Sequence, residues 1–264
     1  MTPQDAIWSA VIGLIAGLLG GLAGIGGSMV MLPGLFLVFG DNAEHSRQHL
    51  YMAAAMVVNV VVSIPATYQH WRAGAMRRDL AEWLLPTMTA TMVAGVFASN
   101  RFEGDALRIM LAVFITAYCI TNIIRAVRPI PGDDRPPERG GAGLLIGIGS
   151  ITGFIGGLLG IGGGVLMVPA LQLLRRVRLR HAIATSSLVM CITAAVGAAL
   201  KLMTLDQHGH TPTEAWWLVL AMSPGAIAGA MIGAALVHAL PIRIVRVLIS
   251  ALLMVAAAKL AGLW

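Results

Sequence analysis

Residues 20–28 read GGLAGIGGS and residues 156–164 read GGLLGIGGG, so one glycine-rich stretch occurs twice in the chain. Each copy lies inside an unusually long uncharged run, at 6–40 and 140–174. A single helix of that length would span about 52 Å, whereas the hydrocarbon core of a bilayer is about 30 Å thick. Because glycine clusters interrupt helices, each run is predicted to be a broken hairpin that enters and leaves the membrane on one side.

The similarity between the two stretches continues downstream and predicts a tandem duplication. The residues that correspond, with small gaps, are Pro33 and Pro169, His49 and His181, Pro86 and Pro224, Gly95 and Gly233, and Arg108 and Arg246. We therefore predict a first transmembrane repeat at 1–127, a cytoplasmic linker at 128–141 and a second transmembrane repeat at 142–264. The linker is rich in Pro, Gly and charge, as connecting segments commonly are.

Composition places the whole chain in a membrane. Hydrophobic residues make up 58% of the 264 residues, charged residues only 11%, and the mean hydropathy is +0.82. Soluble domains have roughly 25% charged residues. The net charge of +6 does not indicate nucleic acid binding, because the basic residues lie between apolar runs and form no patch with aromatic residues. The predicted fold is an all-α polytopic membrane protein.

The distribution of Lys and Arg predicts how the two repeats are oriented. If both long runs are hairpins and the other six runs cross once, the repeats have inverted topology, and each is a hairpin plus three transmembrane helices. The 18 basic residues then divide 13 to 5 between the two sides, in agreement with the positive-inside rule. The predicted outer side holds Arg47, Arg101, Arg108, Lys201 and Lys259, and both termini are predicted to be extracytoplasmic.

The two glycine motifs resemble those of the sulfite exporter TauE/SafE family of bacterial membrane transporters. Each GxxGIGG[GS] motif is followed by a proline in the next apolar stretch, and the resemblance covers nearly the whole chain. The triplet Thr185-Ser186-Ser187 also resembles the family, although the first half has Ala53-Ala54-Ala55 at the matching positions. The resemblance implies a transporter of the bacterial inner membrane that exports sulfite or an organosulfonate.

The helix breaks are the predicted substrate site. Interrupted helices free backbone amides, and the second arm of each hairpin directs its N-terminal dipole at the same place, so an anion can bind there without a formal positive charge. The predicted binding residues are Gly24, Gly26, Gly27, Ser28, Asn59, Gly160, Gly162, Gly163, Gly164, Thr185, Ser186 and Ser187. Cys191 aligns with Asn59 in the matching helix. The outer glycines Gly13 and Gly153 are interpreted instead as helix-packing positions.

The distribution of charged and polar residues bears on the other functions that the protein could have. No Asp, Glu, Lys or Arg lies near the centre of an apolar run, and Lys201 is expected to extend its amine to the outer interface. No cofactor or metal site is predicted, and without a catalytic constellation at membrane depth we expect no enzyme. The predicted partners are a small anion and the lipid bilayer. The alternatives are a carboxylate or other anion as the substrate, or an anion channel.

Overall fold

The computed structural model describes residues 3–23, 26–40, 47–127, 140–236, 250–251, 253–255 and 257–260. Predicted binding residue Gly24 and nearly all of the linker at 128–141 lie outside the described residues. The helices are α1 (Pro3–Ala23), α2 (Ser28–Phe39), α3 (Gln48–Arg72), α4 (Arg78–Ser99), α5 (Gly104–Val127), α6 (Ala142–Leu159), α7 (Gly164–Ala170), α8 (Leu179–Met203) and α9 (Pro212–Leu236).

Helices α1 and α2 form the predicted first hairpin. A Cβ atom at Gly34 of α2 would lie 3.0 Å from the Ile12 side chain of α1, and one at Gly27 would lie 3.2 Å from the carbonyl of Ala16. The chain therefore runs back along α1 after the glycine cluster. The Tyr51 hydroxyl then donates a 2.8 Å hydrogen bond to the carbonyl of Gly40, which joins the end of α2 to the beginning of α3.

The second hairpin repeats this arrangement with a shorter return arm. A Cβ atom at Gly163 would lie 2.9 Å from the carbonyl of Thr152, so the chain folds back along α6. Helix α7 has only seven residues and continues as a π-helical turn, Leu171–Arg175, which begins two residues after Pro169. The arm ends at Arg176, which has a left-handed backbone with φ of 64°.

Helices α3 and α8 are antiparallel neighbours, and their ends define two faces of the molecule. Lys201, near the end of α8, bonds to His49 at the start of α3. At the opposite end, His181 near the start of α8 bonds to the carbonyl of Ala75, just after α3, at 2.7 Å. We call the end with residues 47–49, 100–104 and 201–211 the His49 face. The end with residues 73–78 and 175–181 is the His181 face.

Glycines lie where pairs of helices cross at short distance. A Cβ atom at Gly13 of α1 would collide with the carbonyl oxygen of Met222 in α9, and one at Gly153 of α6 would collide with that of Met88 in α4. Backbones approach this closely only where side chains are absent. The interpretation of Gly13 and Gly153 as packing positions is confirmed.

The lengths and surfaces of the helices confirm a polytopic membrane protein. Among the described residues, seven helices are long and apolar enough to span a bilayer: α1, α3, α4, α5, α6, α8 and α9. Large apolar side chains cover their outer surfaces, as lipid contact requires. Helix α9 begins at Pro212, where the Thr211–Glu214 capping box predicts its start, and the two side chains of the box lie 3.1 Å apart.

Candidate functional site

The two helix breaks meet in the interior of the molecule. The Ser28 hydroxyl of the first break donates a 2.8 Å hydrogen bond to the Ile161 carbonyl of the second. Asn59 and Met190 contact both breaks, since Cβ atoms built on Gly26 and on Gly162 would each approach these two side chains. Each of the two residues is the twelfth of its 25-residue helix. The breaks therefore lie at mid-length between α3 and α8.

Asn59 holds the first break in place. Its Oδ1 accepts hydrogen bonds from the amides of Gly27, at 2.8 Å, and Ser28, at 3.1 Å. Its Nδ2 donates to the Ser28 hydroxyl at 2.7 Å. The side chain thus replaces the missing helical partners of two amides at the start of α2. The expectation that the amides of Gly27 and Ser28 are free is wrong.

The second break has no equivalent of Asn59. Gly160 ends α6, Gly163 is the N-cap of α7 and Gly164 is its first residue. The backbone at Gly162 and Gly163 is left-handed, with φ of 73° and 72°, a conformation that favours glycine. Within the described part of the chain, no hydrogen bond is found for the amides of Gly162, Gly163 and Gly164. All three glycines are buried, and a Cβ atom at Gly162 would lie 2.9 Å from the Asn59 side chain.

The hydroxyl triplet of α8 is only partly close to the breaks. Thr185 lies toward the His181 face, where its Oγ1 accepts a 3.3 Å hydrogen bond from the Arg77 amide. Ser187 donates to the Ile183 carbonyl of its own helix. Ser186 is fully buried, and its hydroxyl has no partner among the residues that the structure describes. It precedes Met190 by one helical turn, so Ser186 is the member of the triplet on the side of the breaks.

Three methionines beside the site were not identified from the sequence. Met190, and not the aligned Cys191, is the α8 residue beside Asn59, and Cys191 is only half-buried. Met88 and Met52 cover the second break, where they would obstruct a Cβ atom at Gly163 and at Gly160, respectively. The signal that could have revealed this packing is the i, i+4 spacing of methionines in α3 and α4, because flexible thioethers fill irregular gaps beside glycines.

Lys201 does not extend to the interface as expected. Its side chain is only 1% exposed, and its Nζ contacts Asn100 Oδ1 at 2.8 Å and His49 Nδ1 at 2.9 Å. The expected extension toward water is wrong because the first half supplies two acceptors within reach, the buried His49 and the partly buried Asn100. A fully buried lysine at the end of a transmembrane helix is costly and indicates a role beyond anchoring.

Apolar helices with two buried breaks at mid-length are typical of membrane transporters built on discontinuous helices. The family profile described as "Sulfite exporter TauE/SafE" matches residues 9–260. The chain belongs to this family of membrane transporters. No solved structure matches the chain.

Curated relatives carry the same general description. The chain is 25% identical over 291 residues to "Probable membrane transporter protein MamO" of Magnetospirillum gryphiswaldense, covering 97% of this chain but 45% of that protein. It is 26% identical over 244 residues to "Probable membrane transporter protein YunE" of Bacillus subtilis, covering 86% of each chain. It thus spans less than half the length of its MamO relatives, of which a second, from Paramagnetospirillum magneticum, is covered to 42%.

Proposed function

We propose that the protein exports a small anion, sulfite or an organosulfonate, by alternating access, with the anion bound between the two helix breaks. The observation that carries the proposal is the meeting of the breaks around Asn59 and Met190, at the midpoints of α3 and α8. Substrate sites of transporters with discontinuous helices lie at this depth. Membership of the sulfite exporter family favours a sulfur oxyanion.

The donors around the breaks fit an oxyanion. The amides of Gly162, Gly163 and Gly164 have no partner in the described chain, and the Asn59 Nδ2 donates only to Ser28. A sulfite or sulfonate group has three oxygen acceptors, and backbone amides can bind such groups without a charged side chain. The buried Ser186 hydroxyl adds a donor one turn toward the His181 face. Gly26, Gly27 and Gly160 have no side chains and so allow the anion to approach the backbone of the breaks closely.

The antiparallel placement of α3 and α8 supports two inverted repeats, 1–127 and 142–264, joined by a linker at 128–141. Each of the two helices follows a hairpin, and each begins where the other ends. With the 13 to 5 division of basic residues, this arrangement supports an orientation in which the His49 face is outside the cell and the linker is in the cytoplasm. The proposed location is the bacterial inner membrane, with both termini extracytoplasmic.

Labelling of single cysteines tests this orientation. In a chain with Cys119→Ala and Cys191→Ala, an impermeant maleimide should label Gln207→Cys in intact cells and leave Ala73→Cys unlabelled. Both positions are exposed, and they lie on opposite faces. After permeabilisation both should be labelled, which controls for reactivity. Labelling of Ala73→Cys in intact cells contradicts the proposed orientation.

The membrane potential is the proposed driving force. A cell that is negative inside favours anion export by about 2.3 kcal/mol per charge at 100 mV, so roughly 4.6 kcal/mol for a dianion. The test is flux of labelled isethionate into proteoliposomes under a potassium–valinomycin potential, without pH or sodium gradients. Isethionate is an organosulfonate that stays anionic, so passive leakage of a neutral form does not occur.

The direction of isethionate flux should follow the sign of the imposed potential, and the flux should saturate with concentration. Protein-free liposomes are the control. Flux that requires a sodium or proton gradient and ignores the potential contradicts uncoupled export. Unitary currents identify a channel, and preferential inhibition by carboxylates identifies a carboxylate as the substrate.

A further inference from the structure

Two stripes of residues face each other along α3 and α8, from the helix breaks to the His49 face. Each stripe has helical spacing and covers about 15 Å along its axis. The α8 stripe is Met190, Ala194, Gly197 and Lys201, and the α3 stripe is Asn59, Met56, Met52 and His49. The two stripes thus extend in the same direction from the proposed anion site and end at the same polar cluster.

The stripes approach each other at three places along the seam. Beside the breaks, a Cβ atom at Gly162 would lie 2.9 Å from Asn59 Nδ2 and 3.7 Å from Met190 Cγ. Halfway along, a Cβ atom at Gly197 would lie 3.2 Å from the sulfur of Met56 and 3.3 Å from that of Met92 in α4. At the end, Lys201 contacts His49. Methionine side chains therefore close the seam between α3 and α8, and they pack against Gly197, which has no side chain.

The cluster at the end of the seam contains a buried lysine with no counter-ion among the described residues. Lys201 has three N–H donors as an ammonium, of which Asn100 and His49 take two, and no third partner is found among the described residues. No described carboxylate pairs with Lys201. Glu214, the acid near the neighbouring histidines, instead contacts His210 at 3.1 Å.

The histidines of the cluster are arranged as neutral rings. His49 Nε2 lies 3.2 Å from the carbonyl of Phe102, so this nitrogen carries the proton and Nδ1 is left to accept from Lys201. The His208 ring stacks on His49 with centroids 3.5 Å apart. Burial, with the nearby Lys201 and His210, lowers the pKa of His208 from its usual value, so this ring is neutral near pH 7.

We propose that Lys201 forms a second anion-binding site at the outer end of the α3–α8 seam, with Met52, Met56 and Met92 as the closed gate between it and the helix breaks. The proposal rests on the proposed function, because the anion that leaves the breaks supplies the missing counter-ion. Methionine side chains have three rotatable bonds and can open a passage by rotamer changes without separating the helices. A fixed carboxylate partner would instead neutralise Lys201 and remove its attraction for the anion.

The test compares the two faces of the membrane. Uptake of labelled isethionate is measured in vesicles with the His49 face outward and in vesicles with the His181 face outward, identified by labelling at position 207. Lys201→Gln should raise the KM at the His49 face at least about tenfold and change the KM at the His181 face less than about twofold, since a hydrogen bond to a charged donor is lost at one site only. Lys201→Arg should restore the KM at the His49 face. Arg101→Gln, which removes an exposed charge near the same face, is the matched control and should leave both values unchanged.

Three other outcomes would contradict the inference. If Lys201 only joins the two halves structurally, Lys201→Gln lowers the melting temperature and the number of active molecules without a face-specific change in KM, and the inference is wrong. An Arg101→Gln effect as large as that of Lys201→Gln assigns the change to general surface charge and also overturns it. If the wild-type protein has no saturable isethionate flux from either face, the proposed function fails and the inference fails with it.

Discussion

Asn59→Leu should reduce anion flux by at least about 100-fold and destabilise the protein by about 2–6 kcal/mol, since two buried amides lose their acceptor at about 1–3 kcal/mol each. The leucine has the same branched arrangement of side-chain atoms but cannot accept from Gly27 and Ser28. The start of α2 then has unpaired donors in the interior of the molecule. Isethionate flux in proteoliposomes and the melting temperature of the purified protein measure the two effects.

Ser63→Ala is the matched control for Asn59→Leu. Ser63 lies one helical turn from Asn59 and is equally buried, but its hydroxyl donates only to the Val60 carbonyl of its own helix. Flux and stability of this variant should be close to wild type. If Asn59→Leu transports normally, the first break does not need its side-chain cap and the proposed site is wrong.

Gly162→Ala should abolish transport, although it adds only one methyl group. The left-handed backbone at φ of 73° becomes strained with any side chain, at a cost of about 1–2 kcal/mol. The new Cβ would also lie 2.9 Å from Asn59 Nδ2, so the amide must leave its place between the breaks. Anion binding is measured by the isethionate-dependent shift in melting temperature, and transport by proteoliposome flux.

Gly147→Ala provides the comparison within the same hairpin. Gly147 lies in α6 with nothing within 4 Å of an added Cβ, so alanine fits there and should stabilise the helix by about 1 kcal/mol. The same chemical change is thus expected to be harmless at 147 and to eliminate function at 162. Equal flux in the two variants contradicts a substrate site at the second break.

The hairpins could be predicted from the sequence because their evidence is local. Each uncharged run would be longer than the thickness of the bilayer if it were a single helix, and it has glycines near its middle. The simplest interpretation is that the chain turns back inside the membrane. The start of α9 could be predicted in the same way, since the capping residues Thr211 and Glu214 are three positions apart. The type and the boundaries of a helix can be predicted from the sequence where the contacts that determine them are between residues close together in the chain.

The partners inside the site could not be predicted, because they come from distant segments. Asn59 caps an amide 32 positions away, and Lys201 bonds to a histidine 152 positions away. The choice between Met190 and Cys191 depends on a single-residue shift in the repeat alignment, and one residue turns a side chain by about 100° around a helix. No local pattern resolves a rotation of that size.

The glycine crossings have a consequence for how the protein changes shape. Helix α1 packs most extensively on α9, and α4 packs on α6, so both pairs join helices from the two halves of the chain. Gly13 and Gly153 bring these backbones so close that the pairs cannot slide apart without breaking the packing. If the protein alternates between two conformations as proposed, we expect α1 to move together with α9, and α4 together with α6. We therefore expect that a half of the chain expressed alone does not keep its hairpin packed, because the partner helix belongs to the other half.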